Sequence, residues 1–95
     1  MAKGYIIGRI TVTDPERYAE YVPMASAAIR QHGGTPLVRG GRYEPLEGEA
    51  RARNVVIEFP SYEQARAYYY SPEYQAAFAK RSPAGVAELV LVEGA

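Results

Sequence analysis

Three segments of this chain carry apolar side chains at odd and even positions alike, and this double apolarity restricts its fold more than any other feature. They are residues 5–12 (YIIGRITV), 54–59 (NVVIEF) and 86–92 (VAELVLV). Their β-branched and aromatic content reads as strand, and because side chains alternate along a strand, both faces of each can be named. Ile6, Gly8, Ile10 and Val12 share one face with Val55, Ile57, Phe59, Ala87, Leu89 and Leu91. The other face holds Tyr5, Ile7, Val56, Val86, Val90 and Val92, with Arg9, Glu58 and Glu88 among them. An antiparallel sheet with one wet face is polar on that face. Here the more uniformly apolar face belongs under helices, and the second is expected to pack against a second copy of the chain. Clustered large apolar side chains of this kind exceed what monomers usually expose.

Between the strands the period changes. Asp14, Pro15 and Glu16 open a helix: Asp14 can accept a backbone N–H as N-cap, and Pro15 suits the first helical position. Glu16 favours the positive end of the helix dipole. Tyr18, Tyr21, Val22, Ala25, Ala28 and Ile29 follow at spacings of three and four, and Gly33-Gly34 ends the helix. A weaker second strand runs over residues 37–40, followed by a glycine-, proline- and charge-rich loop to residue 52. Pro60 stops the third strand. Ser61 with Gln64 three residues later predicts a capping box opening a second helix with Ala65, Tyr68 and Tyr69 inward. Ser71-Pro72-Glu73 interrupts it and restarts a short helix bearing Tyr74, Ala77 and Phe78. Strand, helix, strand, strand, helix, strand is the α+β ferredoxin-like order β-α-β-β-α-β, with a four-stranded antiparallel sheet. Residues 1–95 read as a single domain.

Composition excludes several chemistries. The chain has no cysteine and one histidine, His32, which removes thiolate nucleophiles, Cys-bound zinc, iron–sulfur clusters and a multi-His metal site within one subunit. No metal is expected. Eleven basic and eleven acidic residues cancel, whereas nucleic-acid binders carry a basic surplus to neutralise phosphates. No run approaches the roughly 18 apolar residues of a membrane span, and the first residues lack the apolar core of a secretory signal. A cytoplasmic location, with no nucleic-acid or membrane partner, is the expectation. Neither glycine-rich phosphate-binding motif is present, and no cofactor is expected.

Lys3-Gly4-Tyr5, Asp14-Pro15 with Tyr18 and Tyr21, Gly33-Gly34, residues 37–41 (LVRGG) and Leu46-Glu47-Gly48 together resemble the domain of unknown function 1330 family. The resemblance continues through residues 56–61 (VIEFPS), 71–75 (SPEYQ), Arg81 and 92–94 (VEG). It implies a ferredoxin-like subunit pairing face to face as a dimeric α/β barrel. It implies little about activity. Relatives in the wider superfamily range from cofactor-free monooxygenases and lactone isomerases to haem-handling and dye-decolourising proteins, and fold does not determine function. Haem is suggested by that analogy alone, with His32 as the single imidazole.

Candidate site residues follow from these placements. Arg9, Glu58 and Glu88 share the non-helical face, where buried charges must pair, so Arg9 is expected to meet Glu58 or Glu88. Alternation from Leu37 adds Arg39 to that face. A partly desolvated Glu58 there could act as a base, or the charges could only set sheet and dimer register. His32, at the end of the first helix, is placed to favour its dipole or to transfer a proton. Tyr5 is a ligand-contact candidate among nine tyrosines, most of which fall on helix stripes. Glu47, in the long loop, can reach a cleft or a partner. Two functions stand open: a metal-free small-molecule enzyme or binder, and a structural dimerisation module.

Overall fold

The computed structural model describes residues 2–95. β1 (Gly4–Val12) leads through Asp14 into α1 (Pro15–Gln31), and β2 (Thr35–Arg39) and β3 (Arg53–Phe59) follow. α2 (Tyr62–Tyr70), α3 (Pro72–Arg81), a 3-10 turn (Ser82–Ala84) and β4 (Gly85–Glu93) complete the chain. The sheet order is β2-β3-β1-β4, with every neighbouring pair antiparallel. This is the expected ferredoxin-like sheet, with the second helical segment split in two at Ser71. No helix among the described residues is long and apolar enough to cross a membrane.

The helix boundaries have local causes. Asp14 accepts from the Arg17 N–H at 3.2 Å, and Pro15 occupies the first turn. At the other end Gly33 takes φ 75°, which lets its N–H reach Arg30 and the Gly34 N–H reach Ile29, at 3.2 and 2.8 Å. That pair of bonds is the Schellman closure a left-handed residue makes possible. Ser61 caps α2 by accepting from the Gln64 N–H at 3.0 Å. The other half of the expected capping box does not form: the Gln64 amide donates instead to the His32 carbonyl at 3.0 Å. A free carbonyl at the end of α1 lies within reach, so the side chain ties two helix ends together. Ser71 does double duty, donating to the Tyr68 carbonyl at 2.7 Å and accepting from the Tyr74 N–H at 3.1 Å.

The helices cover one face of the sheet. Ile6, Ile57 and Phe59 pack with Ala25, Ala28 and Ile29 of α1, Ala65 and Tyr68 of α2, and Tyr74 and Ala77 of α3. Ile10, Tyr18 and Ala84 form a smaller cluster at one end. The faces of β1, β3 and β4 follow the alternation expected from sequence. β2 departs from it. Pairing slips between Pro36 and Val38, so that Val38 sits opposite Val56 and Arg39 opposite Val55. An extra residue in one strand reverses every later side chain. Arg39 therefore joins the helix-covered face, and its expected place beside Arg9 is corrected.

The uncovered face carries an apolar row across all four strands, Val38–Val56–Ile7–Val90, as the strand registers align them. Val90 is 54 % exposed and Val38 39 %. Tyr5 and Val92 extend the patch beside it.

Candidate functional site

Among the described residues, two depressions stand out. One, between α2 and β4, is bounded by Ile6, Tyr69, Tyr70, Leu89, Val90 and Leu91, and carries no charged group. The other is a cavity of about 50 Å³ between α1 and the helix-covered face of the sheet. Its walls are apolar, from Ile6, Ile10, Ile29, Val55, Ile57 and Leu89, while Tyr18, Tyr21, Ser26, Arg39, Arg53, Tyr68 and Tyr74 bring polar atoms to it. An apolar pocket with a few convergent polar groups is the usual form of a small-molecule site.

Its elements explain its chemistry. Tyr21 and Ser26 lie on α1, and Tyr74 is the third residue of α3, in the turn that Ser71 caps. Packing of α3 on α1 brings the Tyr21 and Tyr74 hydroxyl oxygens to 3.1 Å. Arg81, at the last turn of α3 and only 5 % exposed, donates to the Tyr74 hydroxyl at 3.5 Å. Its guanidinium lies over the rings of Phe78 and Tyr21, 5.1 and 5.6 Å from their centroids. No carboxylate pairs with it among the described residues. The aromatic faces and the negative end of the α3 dipole offset its charge instead. Either hydroxyl can donate in the Tyr21–Tyr74 bond, while Tyr74 accepts from Arg81.

Burial pushes the Tyr21 phenol well above its ordinary value, with the neighbouring Tyr74 adding to the effect and Arg81 opposing it. Tyr68 is raised in the same way, by burial first and Tyr74 second. Both rings are therefore neutral hydrogen-bond donors at ordinary pH. An unfolded chain releases these protons near pH 10, and the folded chain only at higher pH. Above that point the unfolded state binds fewer protons, so stability falls as pH rises. Urea unfolding at constant protein concentration is expected to show a loss beginning near pH 10, with each tyrosine adding up to about 1.4 kcal/mol per pH unit. A flat profile to pH 11 would contradict this, and Tyr21→Phe should shallow the slope.

Of the residues singled out from sequence, Arg39 alone reaches this cavity, donating to Ser26 Oγ at 3.3 Å. Glu58 is on the opposite face, bound by Lys3 at 3.1 Å and by the Tyr5 hydroxyl at 3.3 Å. Tyr5 faces Glu58 directly across the β1–β3 ladder. Arg9 meets Glu88, its cross-strand neighbour, at 3.5 Å, and donates to the Glu49 carbonyl at 2.6 Å. Arg51 joins Glu88 at 2.9 Å and holds its carboxyl below the usual range, chiefly by hydrogen bonding. Glu88 is thus the partner of Arg9, and Glu58 is not. His32 caps α1, its ring edge-on to Tyr68 and its buried Nε2 without a partner among the described residues. Glu47 is exposed in the loop. No group of three or more potential metal ligands exists among the described residues.

Tyr21, Tyr74, Arg81 and Arg53 were not legible as a site from sequence. Signals existed for two of them: alternation puts Arg53 on the same face as Val55 and Ile57, and Arg81 follows Tyr74 by two helical turns on the buried stripe.

A family model described as a domain of unknown function (DUF1330) matches residues 3–95. No curated protein matches the chain. Among solved structures, the chain is similar to a protein of unknown function from Rhodopseudomonas palustris, with 19 % identity and a TM-score of 0.77 over 96 % of this chain and 81 % of that one. A dimeric ferredoxin-like protein of unknown function from Jannaschia sp. CCS1 has 14 % identity and a TM-score of 0.76, over 95 % of this chain and 97 % of that one. SnoaB, a cofactor-independent oxygenase from Streptomyces nogalater, has 13 % identity and a TM-score of 0.63, over 97 % of this chain and 92 % of that one. Identities this low establish a common fold and no common chemistry. With a match that spans all but the first two residues, the chain belongs to the DUF1330 family.

Proposed function

We propose that this domain binds a small, mostly apolar molecule in the cleft between α1 and the sheet, and that it does so as a homodimer joined through the uncovered sheet face. The observation that carries the binding reading is the pair of hydrogen-bonded hydroxyls of Tyr21 and Tyr74, anchored by Arg81, at the wall of an otherwise apolar cavity. A hydroxyl so placed suits a carbonyl or ether oxygen. The dimer is supported by the apolar row centred on Ile7 and by the dimeric assembly of the similar protein from Jannaschia.

The site suits orientation and polarisation better than proton abstraction. Neither a carboxylate nor an imidazole is among the cavity's lining residues, and burial holds Tyr21 in its protonated form. A reaction of the class named for the similar Streptomyces oxygenase would need a substrate acidic enough to release its own proton. The Glu58 base reading has no support from this geometry.

The test is calorimetric titration with 3-methyl-2-butanone, a neutral branched ketone. Wild-type protein should bind it, Tyr21→Phe should bind about 5- to 15-fold more weakly for the loss of one hydrogen bond, and Ser26→Phe should block the cleft. Equal affinity in all three proteins would place any binding elsewhere.

A further inference from the structure

The geometry points to a carboxylate as the polar head of that ligand, held at the solvent side of the cleft by Arg39 and Arg53. This rests on the cleft being a ligand site and adds the chemical class. Five basic residues have ion-pair partners among the described residues: Lys3, Arg9, Arg17, Arg51 and Lys80. Arg39 and Arg53 have none, yet both border the cavity between α1 and the sheet. Carboxylates were close at hand in sequence. Glu44, Glu47 and Glu49 lie in the exposed loop joining the two arginine-bearing strands, and none of them folds back to pair with either guanidinium.

Of the two arginines, Arg53 is partly withdrawn from water. Arg53 is half-buried, with its guanidinium 5.5 Å from the Tyr18 ring centroid and its Nε out of solvent with no hydrogen-bond partner. Arg39, exposed, is anchored by its 3.3 Å bond to Ser26. A desolvated guanidinium keeps its charge and lacks compensation. Its planar fork of donors matches a carboxylate in two parallel bonds. In a chain of zero net charge, this leaves two uncompensated cations beside an apolar hollow.

The size of the hollow sets the rest of the molecule. A water needs roughly 10–15 Å³ on this measure, so about 50 Å³ admits a body of about four non-hydrogen atoms. The ligand class is a short, branched monocarboxylic acid.

The probes are 3-methylbutanoate, its neutral amide 3-methylbutanamide, and acetate, which has the head without the body. Calorimetry of the wild-type protein should show the acid binding at least about tenfold tighter than the amide, since a charge-assisted pair adds about one such step. Acetate should bind weakly or not at all. Added salt should weaken the acid and leave the amide unchanged. Arg53→Gln should bring acid and amide to within about threefold of each other, the amide's affinity staying put. Should Arg53→Gln lose its circular dichroism, Arg39→Gln makes the same comparison at an exposed position. Acid and amide binding equally to wild type overturns the carboxylate assignment and leaves the cleft reading standing. Binding that Ser26→Phe does not disturb overturns both.

Discussion

Tyr74→Ala is expected to lower the unfolding free energy by about 4 kcal/mol, the range for emptying a buried aromatic site. Tyr74 is wholly buried, with ring centroids 4.9 Å from Tyr68, 5.2 Å from Tyr69 and 6.2 Å edge-on from Tyr21. Alanine removes all three contacts and strands two polar groups, the Arg81 guanidinium and the Tyr21 hydroxyl. A domain of this kind has about 5–15 kcal/mol in total, so the variant should be partly unfolded without denaturant. Tyr74→Phe separates the two causes: it keeps the ring and should lose about 1–3 kcal/mol for the orphaned hydrogen-bond partners. Urea unfolding at matched protein concentration measures both, since assembly contributes to apparent stability. A loss below about 1.5 kcal/mol for the alanine variant would mean that α3 is held to α1 by something other than this tyrosine cluster.

The second large effect belongs to the uncovered face. Ile7 sits between Val56 and Val90 in the transverse apolar row. In a face-to-face dimer, Ile7→Asp would place an unpaired carboxylate from each subunit in a dry interface, at a cost of several kcal/mol per ion. The dissociation constant is expected to rise at least about 10³-fold. Sedimentation should then show a 10.5 kDa particle where the parent chain gives a dimer. Ala67→Asp, on the exposed side of α2, should leave assembly unchanged. A wild-type protein that sediments as a monomer at micromolar concentration would remove the basis of the dimer proposal.

The two variants divide the molecule by function. Tyr74 tests the helical layer that encloses the cleft, and Ile7 the surface on the sheet's far side. Because the sheet lies between them, a ligand titration of Ile7→Asp also asks whether the cleft is complete in one subunit. Retained binding of 3-methylbutanoate by the monomer would assign every ligand contact to a single chain.

Strands, helices and their ends were readable from the chain because their causes are local. Asp14-Pro15, Ser61, Ser71-Pro72 and Gly33-Gly34 act on backbone groups within a few residues, and each does so here. The faces of β1, β3 and β4 were readable for the same reason: alternation is a property of the extended backbone. Alternation also placed Arg9 opposite a glutamate, but two were available. Register across β1 and β4 selected Glu88, while Lys3 and Tyr5 took Glu58.

The site depended on contacts that no local pattern encodes. One slipped residue in β2 turned Arg39 from one face of the sheet to the other, because pairing with β3 decides where a bulge is accommodated. Tyr21 and Tyr74 are 53 positions apart, and only the docking of α3 on α1 makes a polar pair from what reads as two core tyrosines. The sequence by itself determined the order of elements, their caps and the two apolar faces of the sheet, since these follow from neighbours along the chain. Tertiary packing alone decided which polar groups meet in the cleft, since their proximity comes from helix docking and strand register.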